Sequence, residues 1–285
     1  MKNLFSVQKK SEQVDANGYI VRSAIAFVDR TPDGELLKKQ TQMREEVQRV
    51  EKAASLPLWL RILGLVVTGA AAIFVAVFFE VWSDTTFAEL NKKAPWLLPV
   101  MLVCVVLAIG FFALATIRRK RVSASSDARY VLERAQNTIG ESFVALGVPA
   151  DAVDTDVMLS VLTKKQWENP KAGFGFVYQN QNAKVFREGE AICFAFLDCV
   201  VKIPLERIVR IAAVDKRITF RQWNKDVPAR QGIYKQYKIR MNNNGMVSVK
   251  PYYIMELRDG AEEYEVIIPC YDIEPILRLT GKSIT

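Results

Sequence analysis

The chain has 285 residues, a formal net charge of +8 and no histidine. Without histidine, the chain has no imidazole for general acid–base catalysis, for metal ligation or for a pH switch near neutrality. Half of the residues are hydrophobic and 25% are charged, with a mean hydropathy of +0.06, so the apolar residues must be concentrated in particular segments. Part of the positive charge is one run, Arg118–Arg121, which fits a membrane flank better than a nucleic-acid-binding surface. We therefore expect no nucleic-acid partner.

Residues 1–56 are predicted to form a cytoplasmic N-terminal arm. Residues 1–18 are polar and lack the apolar core of a signal peptide, so we expect disorder there. Residues 19–28 alternate loosely between apolar and polar side chains and indicate a short strand. Residues 35–54 carry apolar side chains at helical spacing and predict an amphipathic helix. This helix is either a solvated linker or docks on the C-terminal domain or the lipid surface, and the pattern leaves the choice open.

Two long uncharged segments predict transmembrane helices at 57–82 and 94–117. Their apolar cores, Ile62–Phe79 and Ala94–Ile117, contain 18 and 24 residues. At 1.5 Å per residue these helices are about 27 and about 36 Å long, enough to cross a bilayer. A pair of buried helices in a soluble protein is the alternative, but both segments are apolar on every side rather than along one stripe. The short connection, 83–93, is predicted to lie outside the cell.

The charges that flank the two segments predict the orientation of the hairpin. Basic residues precede the first segment and Arg118–Arg121 follows the second, whereas the connection is balanced in charge. By the positive-inside rule, we expect a multi-pass protein of the plasma membrane with its N- and C-termini in the cytoplasm. Neither segment has an ionisable residue in its middle, which is typical of an anchor and unlike a transporter. Small residues in both segments would permit close helix packing, so a homo-oligomer is among the partners considered.

Residues 118–155 are predicted to hold the basic run and one helix, and residues 156–285 a β-rich domain. The helix is expected over 127–146, where apolar side chains recur at helical spacing before a glycine and a proline. The predicted strands are 156–163, 175–179, 183–187, 191–197, 200–204, 208–214, 218–223, 233–241, 246–249, 252–258 and 263–269. Asn244-Gly245 is the strongest hairpin signal among the turns. A short helix is predicted over 271–280.

Three strings in the C-terminal region carry a resemblance to a known family. They are IPLERIVRI (203–211), RITFRQWNKD (217–226) and KPYYIMEL (250–257). With the closing helix, they make the region 156–281 similar to the PH-like domains attached to paired membrane spans in uncharacterised bacterial membrane proteins. The resemblance implies an antiparallel PH-like barrel with a C-terminal helix, and hence an α+β membrane protein with a two-helix transmembrane hairpin. It implies no activity, and the first hairpin, around Lys164, Lys165 and Lys171, lacks the basic signature of eukaryotic lipid-binding PH domains.

The sequence contains no complete catalytic or cofactor-binding motif. Gly281-Lys282-Ser283 lacks the earlier glycine of a P-loop, since Ile276 occupies that position. The glycines at 173 and 175 lack the third glycine of a dinucleotide fingerprint. The four cysteines have no histidine partner and no metal-ligand spacing. We therefore predict no catalytic residue, no cofactor and no metal, and a protein that is not an enzyme.

Basic residues interleaved with aromatic ones are concentrated between 216 and 240. They form either a surface that meets anionic headgroups or an acidic partner, or an ordinary polar sheet face. The candidate contacts with an anionic surface are Arg118, Arg119, Lys120, Arg121, Lys216, Arg217, Arg221 and Lys225. The wider cluster adds Arg230, Lys235, Lys238 and Arg240. We expect a membrane-anchored, non-catalytic cytoplasmic binding or scaffolding module that recognises a protein partner or an anionic lipid surface. The alternative is an accessory subunit of a larger transport or envelope complex.

Overall fold

A computed structural model describes residues 2–8, 25–84, 94–163, 165, 177–221, 228–239 and 246–285. The protein is α+β, with two long apolar helices in the N-terminal half and a large, mostly antiparallel sheet in the C-terminal half. The chain forms two compact units. One, called the helical unit below, comprises Lys38–Thr138. The other, called the β unit, comprises Met1–Leu37 together with Ile139–Thr285.

Within the described residues, four helices lie in the part of the chain up to Ala145. They are α1 Gly34–Ala54, α2 Leu58–Asp84, α3 Leu97–Ser123 and α4 Ser126–Ala145. The helices predicted over 35–54 and 127–146 are thereby confirmed. α1 begins where the side chain of Asp33 accepts a hydrogen bond of 2.7 Å from the backbone N–H of Leu36, which satisfies an amide that has no partner within the helix. α1 ends just before Pro57, which cannot continue a helix from the preceding turn.

α2 and α3 are long and apolar enough to cross a membrane over Leu58–Glu80 and Leu97–Ser123. They pack against each other near Gly64 and Phe111, where a Cβ at the glycine would lie in ordinary van der Waals contact with the ring, at 3.5 Å. In the most apolar stretch of each helix, only 11% and 17% of the residues are buried in the protein. Most of the surface of both helices is therefore apolar and uncovered.

Twelve strands form one sheet in the described part of the chain. Their bounds are β1 Lys2–Asn3, β2 Ser6–Gln8, β3 Phe27–Arg30, β4 Val153–Leu162, β5 Val177–Glu188, β6 Ala191–Ala195, β7 Val200–Pro204, β8 Ile208–Val214, β9 Ile218–Arg221, β10 Met246–Val249, β11 Tyr252–Asp259 and β12 Glu262–Pro269. The hydrogen-bonded order is β3-β7-β6-β5-β4-β12-β11-β8, and β9 joins β10 to β5. The sheet is open, because its end strands β3 and β8 do not pair with each other within the described residues. These pairings do not confirm a closed barrel.

The sheet is covered on both faces around β4 and β12. Two short helices cover it, α5 Pro228–Gln236 and α6 Ile273–Thr280, the second of which confirms the predicted C-terminal helix. Because alternate residues of a strand point to opposite faces, Val157 and Val266 enter the larger core under α6. Met158 and Ile267 enter a second core under α5. Burial on both faces explains why β4 is buried at every position from 155 to 160.

The N-terminal residues lie inside the sheet, so the disorder predicted for 1–18 is wrong for residues 2–8. The rest of that range lies outside the described residues. β12 and β4 pair with each other at one position, and the N-terminal strands pair with them in parallel, β1 with β12 and β2 with β4. Phe5 is fully buried, and its ring contacts those of Phe194 and Phe196 with centroid distances of 5.6 and 5.3 Å. This segment therefore fills the gap between two central strands.

Three predictions for the C-terminal strands need correction. The strand predicted over 233–241 is wrong, because α5 and the turn after it occupy the described part of that range. The strand after Asn244-Gly245, β10, pairs with β9 and not with a strand over 233–241 as the predicted hairpin requires; the two turn residues lie outside the described ones. The separate strands predicted over 175–179 and 183–187 are replaced by one continuous strand, β5.

Candidate functional site: a basic pocket in the β unit

An open pocket of about 730 Å³ lies in the β unit, where β10, β11, the end of α5 and the start of α6 meet. Its volume falls within the range of small-molecule sites. Its charged lining consists of Arg217, Lys238, Lys250 and Glu274 in the described residues. Tyr237, Tyr253, Ser248 and Cys270 are among the other lining residues. The pocket therefore combines an excess of positive charge with aromatic rings and hydroxyl groups.

Lys238 lines the pocket from a left-handed backbone conformation, with φ of 54°, at the end of α5. Its N–H donates to the carbonyl of Lys235 at 3.1 Å, and the N–H of Ile239 donates to the carbonyl of Tyr234 at 2.8 Å. This is the Schellman arrangement of a helix end, in which the left-handed residue is usually glycine. Within the described residues, Lys238 is the only non-glycine residue with a positive φ.

Arg217 and Lys250 flank two paired strands at the same edge of the pocket. Arg217 immediately precedes β9 and Lys250 immediately follows β10, and the adjoining residues of these strands are partners in the antiparallel ladder. The Nζ atom of Lys250 lies 3.2 Å from a carboxylate oxygen of Asp215. No acidic group among the described residues lies within ion-pair distance of Arg217 or Lys238. Within the described residues, two of the three cations therefore have no ion-pair partner.

A buried polar network beside the pocket fixes the start of α6 to the sheet. Asp272 accepts a hydrogen bond of 2.6 Å from the backbone N–H of Asp156, whose carboxylate accepts one of 3.0 Å from the hydroxyl of Tyr271. Burial, together with the charge of Asp156, raises the pKa of Tyr271 well above its ordinary value, so the hydroxyl remains a donor. The ring of Tyr271 also packs edge-on against Tyr237, with 6.1 Å between centroids. The network thus positions one wall of the pocket.

The predicted basic run lies in the helical unit and is not among the described lining residues of the pocket. Arg118–Arg121 occupy the last turns of α3, which continues past the predicted end at Ile117, and all four side chains are exposed. The Nε atom of Arg118 donates to the carbonyl of Ala53 at 3.0 Å. A basic side chain at the end of α1 satisfies a carbonyl that has no partner within the helix.

Of the four other predicted contacts, only Arg217 is found among the described lining residues. Lys216 is exposed and lies outside the lining. Arg221 ends β9, but its side chain lies outside what the structure describes, as does all of Lys225. From the wider cluster, Lys238 joins Arg217 in the pocket. Sequence reasoning missed Lys250, Tyr253 and Glu274 because the fold, and no local pattern, brings them to this site.

Two of the cysteines are buried and poorly suited to nucleophilic chemistry. Burial, with a smaller effect of Glu188, raises the pKa of Cys193 to about 11, and burial also raises the pKa of Cys199. Thiols that stay protonated at neutral pH are weak nucleophiles and weak metal ligands. In the described ranges, no group of three or more cysteine or acidic side chains is placed to hold a metal ion.

Comparisons of the chain with protein-family models, with curated proteins and with solved structures gave no match. The class of the protein therefore rests on its own architecture. It is an α+β protein with two helices of membrane-spanning length and a β unit that carries a basic pocket.

Proposed function

We propose that this protein is a membrane-anchored, non-catalytic binding module. The observation that carries the proposal is the uncovered apolar surface of α2 and α3, in which only 11% and 17% of the most apolar stretches are buried. An apolar surface this extensive promotes aggregation in water, whereas the hydrocarbon core of a bilayer would solvate it. The β unit is then the part of the molecule that binds a partner.

Three further features support a membrane-spanning hairpin. Trp59, Trp82 and Trp96 are exposed near the ends of the two helices, where tryptophan is enriched in membrane proteins. The hydroxyls of Thr68 and Thr116 donate to carbonyls one turn back in their own helices at 2.7 and 2.8 Å, so neither needs water. The basic residues at the end of α3 support cytoplasmic N- and C-termini by the positive-inside rule.

A charge placed in the middle of α2 tests the anchor. Val66 is 62% exposed, so Val66→Arg would be tolerated if this face met water. In a bilayer, an arginine near the helix centre costs about 2.5–3.5 kcal/mol. We expect Val66→Arg to lower the fraction of protein that resists extraction from membranes by alkaline carbonate. Leu58→Arg, at the exposed first residue of the helix, should leave that fraction unchanged. Extraction of the wild-type chain, or full retention of Val66→Arg, would contradict the proposal.

The binding partner of the β unit is proposed to be an anionic lipid surface or a protein with an acidic surface. The positive charges of the pocket support this choice, since Arg217 and Lys238 have no ion-pair partner in the described residues. The resemblance to bacterial PH-like domains stays a prediction. An antiparallel sheet with one C-terminal helix supports it, whereas the open sheet counts against a closed barrel.

A second candidate function is that of an accessory subunit in a larger membrane complex. Gly69 and Gly110 favour it, because nothing lies within 4 Å of a Cβ placed at either position. Small residues on an open helix face allow the close approach of another transmembrane helix. Purification from membranes in mild detergent, followed by native mass measurement, separates the two candidates. A lone chain or a homo-oligomer supports the binding module, and a fixed stoichiometry of other proteins supports the subunit.

A further inference from the structure

We infer that the pocket lined by Arg217, Lys238 and Lys250 binds the phosphate group of a small phosphate ester. The inference rests on the proposed function and deepens it, because it names the chemistry that the β unit recognises. The ester is either the headgroup of an anionic lipid or a soluble molecule. Both present the same phosphate group, and the two arms of the experiment below distinguish them.

The charges of the pocket favour an anion. Arg217, Lys238 and Lys250 line it together with one acidic residue, Glu274, and only Lys250 has an ion-pair partner, Asp215, among the described residues. A guanidinium can bind two phosphate oxygens through parallel N–H groups, and ammonium groups add compact charges and further donors. Exposed lysines and arginines are common singly, but here three converge on one concave site.

The backbone of Lys238 is a second, independent observation. Its left-handed conformation costs stability that glycine would avoid. The hydrogen bonds of this helix end involve only backbone atoms, so they do not require a lysine side chain. Strain of this kind is concentrated at functional sites. Here the strained residue is also a basic residue that lines the pocket.

The pocket has room for more than the phosphate group. Its volume of about 730 Å³ is that of a site for a small organic molecule. Tyr237 and Tyr253 contribute rings with hydroxyl groups. Ser248 adds a hydroxyl whose oxygen is hydrogen-bonded to Oγ1 of Thr219 at 2.8 Å. Such a lining suits a small hydroxylated body such as glycerol. We therefore take a glycerol phosphate ester as the probe.

The experiment uses the full-length protein in lipid nanodiscs and has two arms. In the first, sn-glycerol 3-phosphate is titrated into protein in phosphatidylcholine nanodiscs. In the second, phosphatidic acid is incorporated into the nanodiscs. A ligand that binds the native state raises the thermal unfolding midpoint of the β unit. A shift in the first arm assigns a soluble ester, and a shift in the second arm alone assigns a lipid headgroup. No shift in either arm overturns the inference.

The Lys238→Gly variant distinguishes an effect on binding from an effect on folding, because it should weaken binding of the probe and stabilise the fold. Glycine removes the strain, so the unfolding midpoint without ligand should rise. Loss of the ammonium group should weaken binding of the probe by about tenfold to a hundredfold. Arg217→Gln should weaken it by a similar factor. A Lys238→Gly variant that binds as tightly as the wild type overturns the inference.

Lys216→Gln is the matched control, since it removes the same charge one residue from Arg217 but outside the pocket lining. It should bind the probe like the wild type at physiological salt. If it loses as much affinity as Arg217→Gln, the attraction is spread over the surface and the pocket assignment fails.

Failure of this inference is distinguishable from failure of the proposed function. The anchor is measured by carbonate extraction, which does not depend on the pocket. If the protein resists extraction but neither probe raises its thermal unfolding midpoint, the pocket assignment is wrong and the membrane anchor is still supported. If carbonate extracts the protein from membranes, the proposed anchor is wrong, whatever the pocket binds.

Discussion

Arg30, the last residue of β3, contacts several groups of the β unit near the end of α4. Its Nη1 atom donates to the carbonyl of Leu146 at 3.0 Å, and its Nη2 atom lies 2.5 Å from a carboxylate oxygen of Glu188. The guanidinium also lies over the ring of Phe186, 5.9 Å from the centroid. The carbonyl groups at a helix end lack partners within the helix, and Arg30 supplies one. The close approach of this side chain depends on Gly147, which has a φ of 65°.

Gly147→Ala should destabilise the protein by about 1–2 kcal/mol. The left-handed conformation disfavours a Cβ, and that atom would lie 2.7 Å from Nη1 of Arg30. Gly140→Ala, within α4, is the control, because nothing lies within 4 Å of a Cβ there. It should stabilise the protein by about 0.5–1 kcal/mol. Denaturant unfolding in detergent, followed by circular dichroism, measures both variants, and changes of the same sign would refute the account.

The ion pair of Arg210 with Glu256 predicts a pH dependence. These residues are cross-strand partners on β8 and β11, and both N–O distances of the bidentate contact are 2.7 Å. Hydrogen bonding from Arg210 lowers the pKa of Glu256 below its ordinary value of 4.5. A lowered native pKa means that the pair stabilises the fold above pH 4.5, and that this stabilisation is lost as the pH falls through the native pKa.

We therefore expect Arg210→Gln to lower the unfolding midpoint slightly at pH 7. The variant would also remove the guanidinium that is hydrogen-bonded to Glu256, which is paired across the sheet with another acidic residue, Glu265 on β12. A double-mutant cycle with Glu256→Gln measures the coupling. The coupling should be present at pH 7 and smaller at pH 3, because it declines as the pH falls from 4.5 through the lowered native pKa of Glu256. A coupling of equal size at both pH values would show that charge is not its source.

At the scale of elements, local patterns were sufficient for the long helices and for most C-terminal strands. Apolar runs and helical spacing lie within one segment, so α1 to α4 could be predicted from the sequence. α5 could not, because the apolar and aromatic residues over 233–241 also fit a strand. Pro228 at its first position, where a missing amide costs least, and the helical spacing of Ile233 and Tyr237 were the available signals.

The strands β1 and β2 were missed for a different physical reason. They contain two and three residues, too few for a periodic pattern. Their partners, β12 and β4, lie more than 150 positions away along the chain. The side-chain amide of Asn3, for example, donates a hydrogen bond to the carbonyl of Met158. Only the fold shows that the apolar pair Leu4 and Phe5 belongs to the core. The same applies to the pocket, where Arg217 and Lys238 belong to a visible basic cluster but Lys250 and Glu274 do not.

Phe5→Ala should therefore destabilise the β unit by about 3–5 kcal/mol, the usual cost of removing a buried phenylalanine side chain. The ring is fully buried against two other phenylalanines, so its removal would leave a cavity in the core. Lys2→Ala is the control, because Lys2 is exposed and its backbone pairing with β12 would remain. Thermal unfolding monitored by near-ultraviolet circular dichroism provides the measurement. Equal midpoints for the two variants would show that the segment adds little to the core.

At the scale of the whole molecule, the β unit is discontinuous along the chain. Its two parts, Met1–Leu37 and Ile139–Thr285, are separated by the helical unit. The first part contributes four residues to the larger core, Leu4, Phe5, Ile25 and Ala26. A fragment that begins after α3 would leave the positions of these side chains empty. Since a domain is stable by only about 5–15 kcal/mol, the loss of several buried side chains is enough to unfold it.

Residues 126–285 alone should consequently fail to unfold cooperatively, although they contain most of the sheet. Residues 1–33 joined to 126–285 through a flexible glycine–serine linker should give a soluble protein with a cooperative thermal transition, because both parts of the core are then present. The same fusion with Phe5→Ala is the control and should lose most of that stability. If the fragment 126–285 unfolds as cooperatively as the fusion, the N-terminal strands are dispensable. If neither unfolds cooperatively, the β unit requires the helical unit for its fold.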